Sequence, residues 1–409
     1  MTALSSRARA CPERAAPAAQ SGGRGRRLAV FVGLQAELLR IIQAWHERGT
    51  ELSDERFNDL ALKIFAHQLR YNKPYATYCA RKGVTLERMP AAWEQIPAVP
   101  TAAYKEAALA AFDPRKAKLV FETSGTTRGI GGRHYMETAA LYDAALLAGF
   151  DRFMLYDGAR LRYLNLVPNP QERPQSSLGY MMARVAGERG AGDIGWYLRA
   201  DAFAFDDLFG DIGDSIARGE AVCIAATAFA LAALLDAAEE RNLRFSLPAG
   251  SRIMETGGFK GRTRVIVREE LYSRTSRCFG IDESCIVAEY GMTELTSQWY
   301  DLPRPEPVSS RARGAHEHRA SRGAHPGIAR LKSSPPWLRA YAAGPDGRPL
   351  PDGVVGALVH VDIANVSSCV ALATEDLGAT YGRHIVLLGR EEGAGLRGCS
   401  LDAEMLARR

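Results

Sequence analysis

The run Thr123-Ser124-Gly125-Thr126-Thr127-Arg128-Gly129 sets small hydroxyl side chains and glycines just after the apolar triplet Leu119-Val120-Phe121. Turns of this make-up let backbone N–H groups converge on an anion, with the hydroxyls adding donors. The Lys-Ser/Thr pair of a P-loop is missing, and the spacing is not a dinucleotide fingerprint. Alone, such a run is more often an ordinary turn. Four further segments change that reading. Thr256-Gly257-Gly258-Phe259-Lys260-Gly261 offers a wall without side chains, flat enough for a purine. Glu289-Tyr290-Gly291-Met292-Thr293-Glu294 follows an apolar strand and sets a hydroxyl and a carboxylate beside a glycine bend. A carboxylate there can hold Mg²⁺ against phosphate oxygens. Thr374-Glu375-Asp376-Leu377-Gly378 supplies an acceptor for two ribose hydroxyls. Gly389-Arg390 then brings a cation to the same nucleotide. Each segment has a plainer reading as turn glycine, helix cap or surface ion pair. Five in this order point to ATP and Mg²⁺.

The elements around these segments are those of an α/β protein. Apolar spacing predicts helices over Leu28–His46 and Glu51–Tyr71, and again over Ala139–Phe153, Phe229–Arg241 and near Val265–Arg277. Strands are predicted at Leu119–Phe121, Leu161–Val167, Ala221–Ala226, Ile253–Glu255 and Ile286–Ala288. Strands alternating with helices of about 10–15 residues imply a sheet with substantial parallel character. Val354–Val361 and His384–Leu388 read as strands of a smaller β-rich lobe. The expected division is a disordered Arg-rich tail (1–27), an N-terminal helical region (28–117), an α/β core (118–300), a flexible insertion (309–330), the β-rich lobe (331–390) and a short C-terminal tail (391–409). His316 and His318 in the insertion have no neighbouring cysteine or carboxylate cluster and read as a solvated loop.

Composition excludes several classes. Hydrophobic residues make up 46% and charged residues 24%, enough apolar matter for a real core. The net charge of +5 is carried entirely by the first 27 residues, with six Arg and one Glu. The balanced remainder argues against a nucleic-acid-binding body. The tail lacks the apolar segment of a secretory signal, and no uninterrupted apolar run of about 18 residues predicts a membrane span. Seven cysteines without a CxxC pair suit reduced thiols in a cytoplasm and no structural zinc.

The loop, Tyr290-Gly291-Met292-Thr293-Glu294 and Thr374–Gly378 resemble the core motifs of the superfamily of acyl-CoA synthetases, peptide-synthetase adenylation domains and luciferases. Within it the chain resembles the acyl-protein synthetase family (LuxE-type), related to phenylacetate-CoA ligase. The finer matches are Pro100–Lys105, Ser176–Met181, Thr256–Gly261, Glu289–Leu295, Pro335–Arg339 and Arg397-Gly398-Cys399. The resemblance implies the large N-terminal domain of an adenylate-forming enzyme, with mixed, largely parallel sheets. It implies that Ser124, Gly125, Thr126 and Thr127 hold phosphates, and that Gly257 and Gly258 lie against adenine beside Tyr290 and Gly291. Thr293 would touch the α-phosphate, Glu294 the Mg²⁺, and Asp376 and Arg390 the ribose. Tyr180 and Met181 would lie near an acyl pocket.

One departure shapes the expected reaction. Relatives that make CoA esters continue past the Gly-Arg hinge into a mobile subdomain with a catalytic lysine, whereas 19 residues without lysine follow Arg390 here. Cys399 stands there instead, near Arg397, whose guanidinium would favour the thiolate. The expected activity is ATP-dependent activation of a carboxylic acid, a long-chain fatty acid by resemblance. The acyl group then passes to Cys399 and on to a partner such as an acyl reductase. The alternatives are an AMP-forming acyl- or aryl-CoA ligase of the phenylacetate type and, last, a non-catalytic nucleotide-binding scaffold. Arg128 stands where related loops have glycine.

Overall fold

The computed structural model describes residues 19–123, 131–200, 202–257, 266–302 and 330–390, with side chains from residue 25. Ser124, Gly125, Thr126, Thr127, Gly258, Cys399, nearly all of the 309–330 insertion and the side chain of Arg390 lie outside the described residues.

Ser53 caps the helix Asp54–Tyr71 by accepting from the Arg56 N–H, with Asp54 and Glu55 in its first turn where the helix dipole favours anions. This helix (α2) follows α1 (Ala19–Arg48) and precedes α3 (Lys73–Arg81), β1 (Val99–Pro100) and α4 (Ala103–Glu106). Helix α1 begins inside the stretch expected to be a disordered tail, and Arg27 pairs with Glu137 at 2.6 Å. Its portion Gly25–Arg48 is long and apolar enough to cross a membrane by length and composition, although no unbroken apolar run marks it in the sequence. In the fold Phe31, Leu38, Ile42 and Trp45 are buried in the core, while Leu28, Val30 and Val32 are exposed.

The α/β part runs β2 (Leu119–Glu122), β3 (Arg133–Met136), α5 (Ala140–Phe153), β4 (Arg162–Pro168), α6 (Ser177–Arg189), β5 (Gly195–Arg199), β6 (Ala202–Phe203), α7 (Phe205–Arg218), β7 (Val222–Thr227), α8 (Ala228–Glu240), β8 (Arg252–Thr256), α9 (Arg268–Phe279) and β9 (Ile286–Tyr290). Strands β5, β4, β7, β8 and β9 pair in parallel in that order. Strands β7, β8 and β9 are buried almost throughout because both faces are covered. Ile224, Ile253 and Ile286 pack with the leucines of α8 and α9 on one side. Cys223, Met254 and Val287 belong to the larger core with α5 on the other.

The remaining strands are β10 (Trp299–Asp301), β11 (Leu331–Ser333), β12 (Leu338–Ala343), β13 (Gly356–Asp362), β14 (Ala371–Tyr381) and β15 (His384–Arg390). The expected β-rich lobe is continuous with the core sheet. Strand β11 pairs with both β10 and β15, joining all strands but β2 and β3 into a thirteen-stranded mixed sheet among the described residues. Among the described residues, parallel ladders are confined to the central run and to β1 on β14, with one isolated parallel bridge between Leu161 and Gly190. A buried ion pair holds this joint: Lys332 Nζ lies 2.7 Å from Asp301 and donates to the Ala288 carbonyl at 3.0 Å.

Candidate active site

The predicted residues that fall within the described chain gather at the carboxyl ends of the parallel strands, where open α/β sheets place their ligands. Gly257 follows the last residue of β8 and Gly291 the last of β9. Gly257 has φ +71°, so its backbone conformation rather than crowding requires glycine there. Gly291 has the opposite reason: a Cβ would stand 2.4 Å from Glu289 Oε1. Thr256 and Glu289 are register partners, and the Thr256 hydroxyl donates to Glu289 Oε2. Burial pushes the Glu289 carboxyl up to about 7.

Tyr290 and Asp376 meet although 86 residues separate them: the buried Tyr290 hydroxyl donates to Asp376 Oδ2 at 2.8 Å. The same hydroxyl lies 3.1 Å from His360 Nε2. A hydroxyl that donates to Asp376 accepts from His360, so Nε2 carries the proton. Burial holds the His360 imidazole near about 4 and hence neutral. Asp376 is in register with Arg390 across the β14–β15 ladder.

The loop expected to hold phosphates springs from the hairpin β2–β3, in which Phe121 pairs with His134 and Glu122 with Arg133. The Thr123 N–H donates to the Gly132 carbonyl at 2.8 Å, and the Gly132 N–H returns to Thr123 Oγ1 at 2.8 Å, so the loop's two ends are pinned together. A Cβ on Gly131 would sit 2.4 Å from the Thr123 carbonyl oxygen, and one on Gly132 would sit 3.0 Å from Tyr104 Cβ. Gly131 lets the hairpin close, and Gly132 lets α4 lie against it.

Thr293 lies against this hairpin and against the start of α6. Its hydroxyl is 3.4 Å from Ser177 Oγ, and its carbonyl accepts from His134 Nδ1 at 2.8 Å. Ser176 caps α6 through the Gly179 N–H at 3.0 Å. A Cβ on Gly179 would meet the Pro168 carbonyl at 2.3 Å, so glycine lets α6 pack on the end of β4. Tyr180 donates to Asp143 at 2.8 Å and packs edge-on against Phe121 and Tyr142. Met181, 2% exposed, is a core residue beside it.

Glu294 is buried, and its backbone carbonyl accepts from Asn365 Nδ2 at 2.9 Å. Among the described residues no group of three His, Cys, Asp or Glu side chains could hold a metal by itself.

Sequence reading missed the shell behind these residues. Strand β13 ends on Asp362, which accepts from the Thr296 N–H at 2.9 Å, the Ala364 N–H at 3.0 Å and Ser297 Oγ at 3.1 Å. Burial raises its carboxyl to about 6 despite these donors. Asn365 and His134 complete the shell, their facing atoms 3.1 Å apart. The available signal was a polar residue at an inward position of a short strand, since His134 alternates with the exposed Arg133.

No family model and no curated protein matches the chain. Solved structures similar to it include the amide bond synthetase McbA from Marinactinospora thermotolerans (17% identity, TM-score 0.44, 68% of this chain and 49% of that one). Others are ATP-bound MatB from Rhodopseudomonas palustris (16%, 0.45, 68% and 49%) and the O-succinylbenzoate coenzyme A synthetase MenE from Bacillus subtilis in complex with AMP (18%, 0.42, 68% and 50%). The chain spans about half the length of these proteins.

Proposed function

We propose that this chain activates a carboxylic acid with ATP. A carboxylate oxygen attacks the α-phosphorus, the bond to the β-phosphate oxygen breaks, and acyl-adenylate and pyrophosphate result. One observation carries this reading. The Tyr290–Glu294 segment touches Asp376 through Tyr290 and the hairpin of the Thr123–Gly129 loop through Thr293. The segment thus joins the strand that carries Asp376 to the hairpin from which the Thr123–Gly129 loop springs. Tyr290 and Gly257 would bound the base, Asp376 would accept from the ribose, and Thr293 would donate to the α-phosphate. Glu294 would hold Mg²⁺, which when bound offsets charge on the phosphate oxygens.

We further propose a long-chain fatty acid as substrate and Cys399 as the first acceptor. Its thiolate attacks the acyl carbon, AMP leaves, and a thioester remains for a partner such as an acyl reductase. Four of the other cysteines are poor candidates for that role. Cys79, Cys223, Cys278 and Cys369 are buried, and burial raises all four thiols, Cys223 and Cys369 to about 12 and Cys278 to about 11. Such thiols are poor nucleophiles. The proposed setting is the cytoplasm.

The test is ATP–pyrophosphate exchange over a panel of carboxylic acids, with intact-mass measurement of the protein. Exchange with an acid and a mass increase lost in Cys399→Ser support the reading. Acyl-CoA appearing on addition of CoA, without protein acylation, replaces it with a CoA ligase. ATP binding without exchange leaves only a nucleotide-binding scaffold.

A further inference from the structure

Three segments meet at His134, and none of the roles proposed above uses it. The imidazole is fully buried, on the strand that closes the Thr123–Gly129 loop. Nδ1 donates to the Thr293 carbonyl at 2.8 Å, and because burial favours the neutral ring, Nε2 stands without a proton 3.1 Å from Asn365 Oδ1. Asn365 Nδ2 in turn donates to the Glu294 carbonyl at 2.9 Å. The two side chains therefore grip consecutive backbone carbonyls, those of Thr293 and Glu294, from the loop's own hairpin on one side and from the β13–β14 turn on the other. Both anchors are themselves fixed. The Tyr104 ring stands edge-on to the imidazole with centroids 5.9 Å apart. The Asn365 carbonyl accepts from the buried Gln68 amide at 2.7 Å.

A carbonyl grip of this kind sets direction. Fixing the carbonyls of two successive residues fixes the peptide plane between them and restricts where the Thr293 hydroxyl and the Glu294 carboxylate can point. Because His134 stands across from Phe121 in the hairpin, the same imidazole ties that orientation to the base of the phosphate-facing loop.

We propose that His134 and Asn365 are positioning residues that lock the Thr293–Glu294 peptide to the phosphate-binding hairpin for the acid-activating step. This rests on the acid-activation reading. The donor that matters most is Nδ1–H, whose contact is the shorter and reaches Thr293 directly. An asparagine at position 134 can place its amide where Nδ1 was, whereas a glutamine amide reaches toward the Nε2 position.

The experiment compares the full-length chain with His134→Leu, His134→Asn, His134→Gln and Asn365→Leu in ATP–pyrophosphate exchange at saturating ATP, alongside thermal unfolding. His134→Leu and Asn365→Leu are expected to lower kcat for exchange by about tenfold or more with KM for the acid unchanged, since misplacing a reacting group by about 1 Å can cost about a hundredfold. His134→Asn should recover kcat to within a few-fold of the parent, and His134→Gln should not. Exchange within about twofold of the parent in a folded His134→Leu overturns the inference. So does equal kcat in the Asn and Gln variants, and that comparison decides the matter should His134→Leu not fold. A parent chain without exchange for any acid overturns the acid-activation reading and this inference with it. An active parent with indifferent variants overturns the inference alone.

Discussion

Replacing Glu289 by glutamine should make stability less dependent on pH, in a direction that the structure dictates. The carboxyl is 6% exposed at the end of β9, and burial is the largest influence on it. The Thr256 hydroxyl and the Lys332 ammonium pull the other way, and the nearby buried Glu255 adds to the rise. In the unfolded chain a glutamate ionises near its ordinary value of 4.5, whereas in the native protein it keeps its proton until about 7. Between these values the native state binds more protons than the unfolded state, so stability falls as pH rises. The favourable contribution is complete below about 4.5 and lost above about 7, and at about 1.4 kcal/mol per decade it amounts to about 3 kcal/mol. Glutamine keeps an oxygen for Thr256 and does not ionise. Urea unfolding at steps between pH 4.5 and 8 should show Glu289→Gln gaining on the parent by about 3 kcal/mol across the window. Asp362 contributes the same slope to both proteins and cancels in the difference. Parallel stability curves, with a constant difference across the window, would refute the reasoning.

Three further outcomes follow from buried polar contacts. Tyr290→Phe removes the donor to Asp376 and the acceptor of His360 Nε2–H, and should cost about 1–3 kcal/mol in urea unfolding. It should also raise KM for ATP in pyrophosphate exchange more than it lowers kcat. Lys332→Met takes the nearer cation from the Asp301 carboxylate, which keeps Arg330 at 3.5 Å and the Ala288 N–H, and should cost about 3 kcal/mol, of which Lys332→Met with Asp301→Leu recovers part. Gly291→Ala drives a Cβ toward Glu289 Oε1 and should cost about 1–3 kcal/mol by the same measurement.

What the sequence made legible is what local pattern determines. The helix at Ala140–Phe153 and the strands at β4, β7, β8 and β9 follow from runs of apolar residues long enough to register as periodicity or continuous burial. Tyr290, Thr293, Glu294 and Asp376 stood out because their neighbours are glycines and hydroxyl residues at strand ends. The start of α1 escaped the reading because its first turns hold Gly, Ser and Arg, poor markers of an apolar face. His134 and Asn365 escaped because their partners lie 159 and 231 residues away, and no local pattern marks such contacts. The β-rich segment read as a lobe because its strands alternate like a separate antiparallel unit. Its attachment depends on the short strand β11 and one buried lysine.

The N-terminal helices belong to the site's support rather than lying beside it. Gln68 on α2 donates to the carbonyls of Asn365 and Val366 at 2.7 and 3.2 Å and accepts from the Val370 N–H at 2.9 Å. Asn72 donates to the Ser368 carbonyl at 3.1 Å. These amides are buried, and a buried polar network satisfied on all sides is rigid, while one that has lost a member is costly. The turn they hold follows Asp362 and carries Asn365, and these two hold residues 294–297 in turn. Order thus passes from α2 to the turn and from the turn to Glu294 through backbone carbonyls and amides. A substitution at Gln68 would therefore act on the candidate site through the turn without touching a ligand, and the reach of α2 into the chemistry is set by that single buried amide.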